Sequence, residues 1–495
     1  MEENSTGHSY LSFETRLNHT KPFLYIFCFV FVECLLLLYS ANCKRVARVI
    51  TQPLMTLLLG VLIDYSYNKL TGGSLKMLET RRYQTYYLIY ISVAFSVFET
   101  AIVLASKMDI FSATIVLFCF AMLDFVSHML IISATICLLK PLIFSSYKQV
   151  TVTHCVHLTG ILSTIDVAFI IFLMGHIHLG VETKFFFAGE SLILNSLSET
   201  FISSLQLVPT NSLVVHLVLS FFLMAGRVIL GCLFGFVTGC ATAFCTKFTC
   251  HHEVLETLLI LVNGYISYFL GYSLMISDVA ALTIYVLMQY HVTQHNVSKR
   301  SWAAVLAVCS ILANLGEEFL FFMLGVDFAH ALRHTHYNEI IFRYQIGSYF
   351  CILLVMQLTK LGSKLIVWLS INKVLISPPK ISLSLIFFIS LVSFVGPLTH
   401  FYSMSTIEYG DIFSSHIKHD AAQLILFITV FSIMVLTTFS YVIASLLKLS
   451  RRHTEYSVFQ SLNQKVMEQA VNCALVIGVG PKHGLLHDLL VRIDL

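Results

Sequence analysis

Residues 187–196 read FAGESLILNS, a short stretch in which an acidic side chain interrupts an apolar run. Glu190 lies between phenylalanines and leucines, and Asn195 follows five residues later. An ionisable group is costly in hydrocarbon, so in a membrane span it usually faces the protein interior, a partner side chain or an ion path. The stretch therefore predicts a buried polar centre, with a single snorkelling or satisfied side chain as the simpler alternative.

The composition indicates a membrane protein. Of the 495 residues, 57% are apolar and only 12% are charged, and the mean hydropathy is +0.82. A soluble domain carries about 25% charged residues. The formal net charge of +3 gives no indication of nucleic-acid binding. The 13 cysteines form no CxxC pair, and neither a phosphate loop nor a zinc signature occurs, so we expect no metal site, no cofactor and no enzyme activity.

Thirteen apolar segments are long enough to cross a membrane, which takes about 20 residues per helix. They lie near residues 22–41, 50–67, 85–106, 110–138, 155–174, 185–205, 214–245, 254–272, 274–291, 302–325, 344–370, 384–402 and 421–447. The predicted fold class is an all-α polytopic membrane protein with about 13 transmembrane helices. The chain then divides into a polar extracellular N-terminus (1–21), a transmembrane domain (22–447) and a short cytosolic tail (448–495).

Basic residues between the spans predict this orientation, because cytoplasmic loops are enriched in lysine and arginine. Basic residues follow the first, ninth, eleventh and last spans, which all end on one side if there are thirteen spans. Two loops, 69–82 and 140–148, carry basic residues on the other side. The majority places the tail in the cytosol and the N-terminus outside, where the sequons at Asn4 and Asn18 are open to glycosylation.

Few ionisable residues lie well inside the spans, and the acidic ones that stand out are Asp166, Glu190 and Glu317. A carboxylate at membrane depth can hold a proton or a metal cation but not both well, which suits coupled transport with alternating access. A channel would instead need rings of carbonyls or charges, and no filter-like run occurs. Glycines 226, 231, 235 and 239 form a small-residue stripe that predicts close helix packing.

Five stretches in a shared order resemble the sodium/proton exchangers of the plasma-membrane type. GESLILN (189–195) is similar to the family's GESLLND, and it lies 23 residues after Asp166, the same separation as from the family's Asp-Pro motif. The other four resemble the family's glycine-rich helix, its tyrosine-rich helix pair, its serine-glutamate-threonine segment and its tryptophan-containing helix end. They are FLMAGRVILGCLFGFVTGCATAFCTKFT (222–249), GYISYFLGYSLMISDVAAL (264–282), NLGEEFLFFMLG (314–325) and KLIVWLSINK (364–373).

The resemblance implies an inverted-repeat exchanger fold with crossed discontinuous helices, which forms a homodimer in the plasma membrane. It also implies sodium/proton antiport that regulates intracellular pH and sodium by alternating access. The ion-binding residues that it implies are Asp166, Asn195, Ser191 and Thr164. The residues expected to form a structural polar core are Glu190, Glu317 and Arg227.

Three positions depart from the family's pattern. Val167 replaces the proline of Asp-Pro, Leu194 and Asn195 replace an Asn-Asp pair, and Val395 replaces an arginine. A one-residue shift would instead put Asn195 on the asparagine and Ser196 on the aspartate, and the carboxylate would still be missing. The aspartate regarded as the family's principal ion carrier is therefore replaced by a residue that cannot titrate.

These departures leave two functions open. One is an active sodium/proton antiporter in which Asp166 is the only titrating ligand, with neutral oxygens from Thr164, Ser191, Asn195 and Ser196. The other is a transport-silent, exchanger-like subunit that dimerises with or regulates an active relative. The missing aspartate is the sequence feature that separates the two functions.

The tail contains a predicted amphipathic helix. In VFQSLNQKVMEQAVNCALVIG (458–478), apolar residues recur at helical spacing and include Phe459, Leu462 and Val466. Such a face suits a hydrophobic groove on a partner or, alternatively, the membrane surface. The segment resembles the family's juxtamembrane helix, which implies a calcineurin-B-like EF-hand protein as a partner.

Overall fold

Helices follow the apolar segments along the chain. The computed structural model describes residues 52–71, 82–105, 111–144, 147–165, 181–208, 212–249, 252–335, 339–374, 382–393, 395–404, 407 and 415–447. The elements within these ranges are helices, as a chain that spans a membrane without forming a barrel requires. Several predictions lie outside the described residues: the first span (22–41), the sequons at Asn4 and Asn18, and the tail with Phe459, Leu462 and Val466.

The helices of the first half are α1 (Gln52–Thr71), α2 (Arg82–Ala105), α3 (Phe111–Ile143), α4 (Val152–Leu162), α5 (Val181–Leu207) and α6 (Leu213–Thr246). Those of the second half are α7 (Glu253–Ser273), α8 (Asp278–Met288), α9 (Lys299–Thr335), α10 (Glu339–Val374), α11 (Leu383–Val392), α12 (Pro397–Ser403) and α13 (Ser415–Leu446). A 3-10 turn, Tyr147–Gln149, precedes α4, and α8 continues through a π-helical turn, Gln289–Thr293, into Gln294–Asn296. Each of the second to thirteenth predicted spans overlaps at least one of these helices.

Six of the described helices are long and apolar enough to cross a membrane by themselves. The segments that meet this criterion are Val116–Ile143, Leu213–Thr246, Glu253–Ser273, Lys299–Arg333, Gln345–Ser370 and Ile417–Val435. A seventh span results if α11 and α12, which are bent by 46° at a short break, are taken together. The chain is therefore a multi-pass membrane protein.

Two helices stop inside the bundle, and their ends meet. α4 stops at Leu162, well short of the end of the predicted span, and the next described residues are not helical. α11 ends at Val392, and α12 begins with Pro397, which needs no hydrogen-bond partner for its nitrogen at this position. The hydroxyl groups of Thr164 and Thr399 form a hydrogen bond of 2.7 Å between the two ends. The two helix ends meet at this contact, which we call the helix crossing; residues 166–180, which would continue the first predicted discontinuous helix, lie outside the described residues.

The glycine stripe of α6 packs against α8, as predicted. A Cβ atom on Gly235 would lie 2.8 Å from the carbonyl carbon of Ala281, which is closer than real Cβ contacts. Gly231 and Gly239 are also enclosed by atoms of α8 or of the turn before it. Gly226 differs, because a Cβ there would meet nothing within 4 Å. The close approach of the two helices therefore depends on three of the four glycines.

We expect Gly235→Ala to destabilise the protein by about 1–3 kcal/mol, because the added methyl group overlaps the backbone of α8. Gly226→Ala is the matched control, since its methyl group meets open space and alanine favours a helix. The measurement is thermal melting of both variants in detergent. Equal melting temperatures for the two variants would contradict the packing of α6 on α8.

Candidate functional site

Asn195 holds the backbone at the end of α4. Its side chain is 1% exposed, and its Oδ1 accepts a hydrogen bond of 2.9 Å from the backbone N–H of Ile165. This N–H lies beyond the last turn of α4, so it has no helical partner and needs one from a side chain. Asn195, which is predicted to occupy the family's aspartate position, therefore supports the backbone through its Oδ1. Its Nδ2 is left without a hydrogen-bond partner among the described residues.

Thr164 is another predicted ion-binding residue, and it also lies at the helix crossing. Its hydroxyl donates to the carbonyl of Ile161 at 2.8 Å and contacts Thr399 across the crossing. Ser191 is buried on α5, but its hydroxyl donates to the carbonyl of Ala188 in its own helix at 2.9 Å. The structure thus brings Thr164 and Asn195 together around one break, and it engages Ser191 within α5.

Asp166 and Val167 lie outside the described residues. The role of Asp166 as an ion ligand therefore stays a prediction. Ile165, the residue just before Asp166, is held by Asn195, so this end of α4 leads directly into the predicted ligand.

Glu190 forms a buried ion pair with Lys364 of α10. The Nζ of Lys364 lies 2.6 Å from Oε1 of Glu190, and the two side chains are 2% and 3% exposed. The pair borders a cavity of about 10 Å³, which is roughly the space for one water molecule. Glu190, which is expected in a structural polar core, is buried, and its partner is a cation from a neighbouring helix.

Val395, which stands in place of the family's arginine, is buried in an apolar cluster together with Ile161 and Leu424. Leu194 is likewise buried among apolar side chains. Neither position offers a partner for a charge. The positive charge next to Glu190 comes from Lys364.

Two lysines of α10 also satisfy the end of α11. Lys360 donates to the carbonyl oxygen of Ser393 at 2.6 Å, and Lys364 donates to the hydroxyl of Ser393 at 3.3 Å. Ser393 follows the last residue of α11, where unpaired carbonyl groups carry partial negative charge that a cation stabilises. Sequence analysis did not predict this role. The available signal was a pair of lysines four residues apart, and hence on one face, in an apolar helix.

A carboxylate from α3 belongs to the same region. Asp124 is buried, and its Oδ1 accepts a hydrogen bond of 2.8 Å from the hydroxyl of Ser363. Ser363 lies directly before Lys364 on α10. The two buried lysines are therefore accompanied by two buried carboxylates, Glu190 and Asp124, so the lysines bring no unbalanced charge into the bundle.

At a different place, Arg227 of α6 joins α5 to the turn between α7 and α8. Its guanidinium donates to the hydroxyls of Ser203 and Ser204 at 2.7 and 3.0 Å, and to the carbonyl of Thr200 at 3.3 Å, all on α5. It also donates to the carbonyl of Met275, in the turn between α7 and α8. Met275 has a φ of 57°, which a non-glycine residue rarely adopts. Arg227 therefore fixes a strained turn.

Glu317 of α9 is 3% exposed and accepts a long hydrogen bond of 3.4 Å from the hydroxyl of Ser96 on α2. The three predicted polar-core residues are thus all buried, but they contact different partners. In the described ranges, no group of three or more His, Cys, Asp or Glu residues is arranged to hold a metal ion.

Comparison with known proteins points to exchangers. No protein-family model matches the chain. Sodium/hydrogen exchanger 2 of Oryctolagus cuniculus is 24% identical over 172 residues, which are 34% of this chain and 21% of that exchanger. Na(+)/H(+) exchanger beta of Oncorhynchus mykiss is 24% identical over 180 residues, which are 35% of this chain and 23% of that protein. The matched part therefore spans about a fifth of the length of these relatives.

Among solved structures, the sodium proton antiporter MjNhaP1 of Methanocaldococcus jannaschii matches with a TM-score of 0.58 at 16% sequence identity. The match covers 86% of this chain and 99% of that antiporter. The fold is that of a sodium/proton antiporter. The predicted resemblance to the sodium/proton exchangers is confirmed as that of a divergent relative.

Within this antiporter fold, we expect Lys364→Gln to destabilise the protein by about 3–5 kcal/mol, because the Glu190 carboxylate would be left unpaired in a closed site. Glu190→Gln likewise leaves the buried ammonium of Lys364 without its carboxylate partner. The double variant removes both charges and should recover much of the loss. The measurement is thermal melting in detergent, analysed as a double-mutant cycle.

The control for this cycle is Arg300→Gln, which breaks an exposed pair with Glu253 at 3.5 Å. Exposed pairs contribute about 0–1 kcal/mol, so this variant should melt close to the unmodified protein. Simply additive losses in the Glu190/Lys364 double variant would show that the two side chains do not stabilise each other.

Proposed function

We propose that this chain is a sodium/proton antiporter, a secondary transporter that regulates intracellular pH and sodium by alternating access. The observation that carries the proposal is the meeting of two helix ends inside the bundle, where Thr164 contacts Thr399 and Asn195 binds the backbone of Ile165. Helix ends at membrane depth expose backbone groups and dipole ends that can hold an ion, and secondary transporters build their binding sites from them.

The groups at this crossing suit a small, hard cation. Carboxylate, carbonyl, amide and hydroxyl oxygens are the ligands that such cations prefer. The hydroxyls of Thr164 and Thr399 and the amide oxygen of Asn195 lie around the end of α4. Asp166 follows in the chain and is proposed to supply a carboxylate.

The charges around the crossing also favour transport of a cation. The end of α11 is capped by Lys360 and Lys364, so its partial negative charge is already satisfied by protein side chains. No comparable cation contacts the end of α4 in the described residues, where only neutral side chains are hydrogen-bonded to it. A transported cation is therefore proposed to bind on the α4 side of the crossing.

Further properties are proposed from the resemblance alone. They are a homodimer, the plasma membrane as location and a cytosolic C-terminus. We also propose that the tail helix with Phe459, Leu462 and Val466 binds a calcineurin-B-like EF-hand protein through its apolar face.

We expect this chain to restore sodium-dependent pH recovery after an acid load in exchanger-deficient cells, and we expect Asp166→Asn to abolish the recovery. The reason is that an amide keeps the size of the side chain but lacks the negative charge with which Asp166 is proposed to help hold the cation. The measurement is intracellular pH with and without external sodium, in cells with matched surface expression. Glu253→Gln, at an exposed position on α7, is the control and should recover like the unmodified chain.

A lack of recovery with normal surface expression would favour the transport-silent subunit. Asn195→Asp then tests the reason, because aspartate keeps the acceptor oxygen for Ile165 and replaces the unpartnered Nδ2 by a charged oxygen. Recovery in Asn195→Asp alone would show that the missing carboxylate silences the chain.

A further inference from the structure

A carboxylate lies one helical turn beyond Asn195. Glu199 is on α5, four residues further along, and residues at this spacing lie on the same face of a helix. Helical side chains lean toward the N-terminus, so the side chain of Glu199 is directed back toward the turn that carries Asn195. Glu199 is half-buried, whereas Glu190 is closed off by Lys364. Glu199 is therefore the more exposed of these two acids on α5.

Glu199 is connected to the helix crossing through α12. The hydroxyl of Tyr402 donates to Oε2 of Glu199 at 3.0 Å. Tyr402 lies on the same short helix as Thr399, which contacts Thr164 at the end of α4. A movement of α12 during alternating access would therefore act directly on the surroundings of this carboxylate.

Glu199 shares its surroundings with a second acid, Asp278, the first residue of α8. Asp278 accepts hydrogen bonds from the hydroxyl of Tyr90 at 2.6 Å and from the backbone N–H of Val279 at 2.7 Å. The carboxyl groups of Glu199 and Asp278 lie close enough to interact directly with each other. Two neighbouring carboxyl groups do not both ionise readily, which favours a proton on one of them, as in the paired aspartates of acid proteases. The pair is thus built to hold one proton.

Arg227 balances the charge of this pair without occupying its oxygens. All four hydrogen bonds of its guanidinium go to hydroxyl and carbonyl oxygens of α5 and of the turn before α8. Two phenols donate to the pair, Tyr90 from α2 to Asp278 and Tyr402 from α12 to Glu199, and Tyr268 from α7 packs against the ring of Tyr90. With one proton on the two acids, the group is neutral. If that proton leaves, the net charge is −1, and one sodium ion restores neutrality.

Two buried polar groups adjacent to these acids in the chain lack partners within the described ranges: a hydroxyl, which can bind a cation or water, and an amide donor, which can bind water but not a cation. The hydroxyl of Ser277, directly before Asp278, is on a side chain only 2% exposed and has no hydrogen-bond partner in the described part of the chain. The Nδ2 of Asn195, one turn from Glu199, is similarly buried and without a partner among those residues. Buried polar groups are normally paired with protein, water or an ion.

From these contacts we infer that Glu199, together with Asp278, is the carboxylate site at which this chain exchanges a proton for a sodium ion. Glu199 thereby takes the role of the aspartate that is missing at positions 194–196. The inference rests on the proposed antiport for its physiological meaning, but binding of sodium at Glu199 is measurable without transport. Asn195 then positions the backbone, and Glu199 carries the titrating charge.

The test uses the purified full chain in detergent and in liposomes. Sodium chloride should raise the melting temperature at pH 8 relative to choline chloride, and the rise should shrink at pH 6 because protons compete for the site. Glu199→Gln should lose this sodium response and, in liposomes, the sodium-driven proton flux. Glu199→Asp, which keeps the carboxylate, should retain part of both. Glu253→Gln is the matched control, an exposed acid on α7 whose loss should change neither.

The outcomes separate the inference from the proposed function. A sodium response that persists in Glu199→Gln overturns the inference, whether or not the chain transports. A missing sodium response in the unmodified chain also overturns it. A response that Glu199→Gln removes, in a chain that shows no flux, supports the inference and contradicts the antiport.

A second variant covers the case in which Glu199→Gln does not fold. Tyr402→Phe removes only the hydroxyl that donates to Glu199. It should move the onset of the sodium response to higher pH, because the charged form of Glu199 loses a donor. An unchanged pH dependence in Tyr402→Phe would overturn the inference, since a purely structural role of the tyrosine predicts that result.

Discussion

The architecture depends on one constraint, that backbone groups freed by helix ends inside a membrane must find partners within the protein. Asn195 supplies the acceptor for the N–H of Ile165 beyond α4, and Lys360 supplies the donor for the carbonyl of Ser393 beyond α11. Thr164 and Thr399 then join the two ends directly. The polar residues of the core are therefore placed by the interruptions, and the surrounding helices are free to remain apolar.

The use of lysine changes how the core charge is held. An arginine on an interrupted helix presents a planar, rigid fork, whereas a lysine is a point charge on a long flexible stem. A stem of that length lets Lys364 reach Glu190 from α10 while Lys360, one turn earlier, caps α11. Val395 can then pack in an apolar cluster with Ile161 and Leu424. The cations of this core thus come from α10 and not from the interrupted helix.

The sequence predicts the apolar architecture well, because the length of an apolar segment and the spacing of small residues are local properties. Each span after the first overlaps a helix, Pro397 marks the start of α12, and three of the four stripe glycines pack against α8 or the turn before it. Glu190 could be recognised as buried from its apolar neighbours. Its partner could not, because Lys364 is far away in the chain and is placed beside Glu190 only by the packing of α10 on α3 and α11. Glu199 was hidden for the same reason, since its partners come from α8 and α12.

The exchange of an aspartate for Asn195 has a physical logic if titration and backbone support are divided between two side chains. An aspartate next to the end of α4 would have to accept the N–H of Ile165 and also bind the transported ion, so protonation would disturb both tasks at once. Asn195 accepts that N–H at any pH, because an amide does not titrate. Glu199 can then gain and lose its proton while the end of α4 stays fixed. Its hydrogen bond with Tyr402 couples this change of charge to α12. A core arranged in this way separates the support of the helix crossing from the chemistry that the crossing serves.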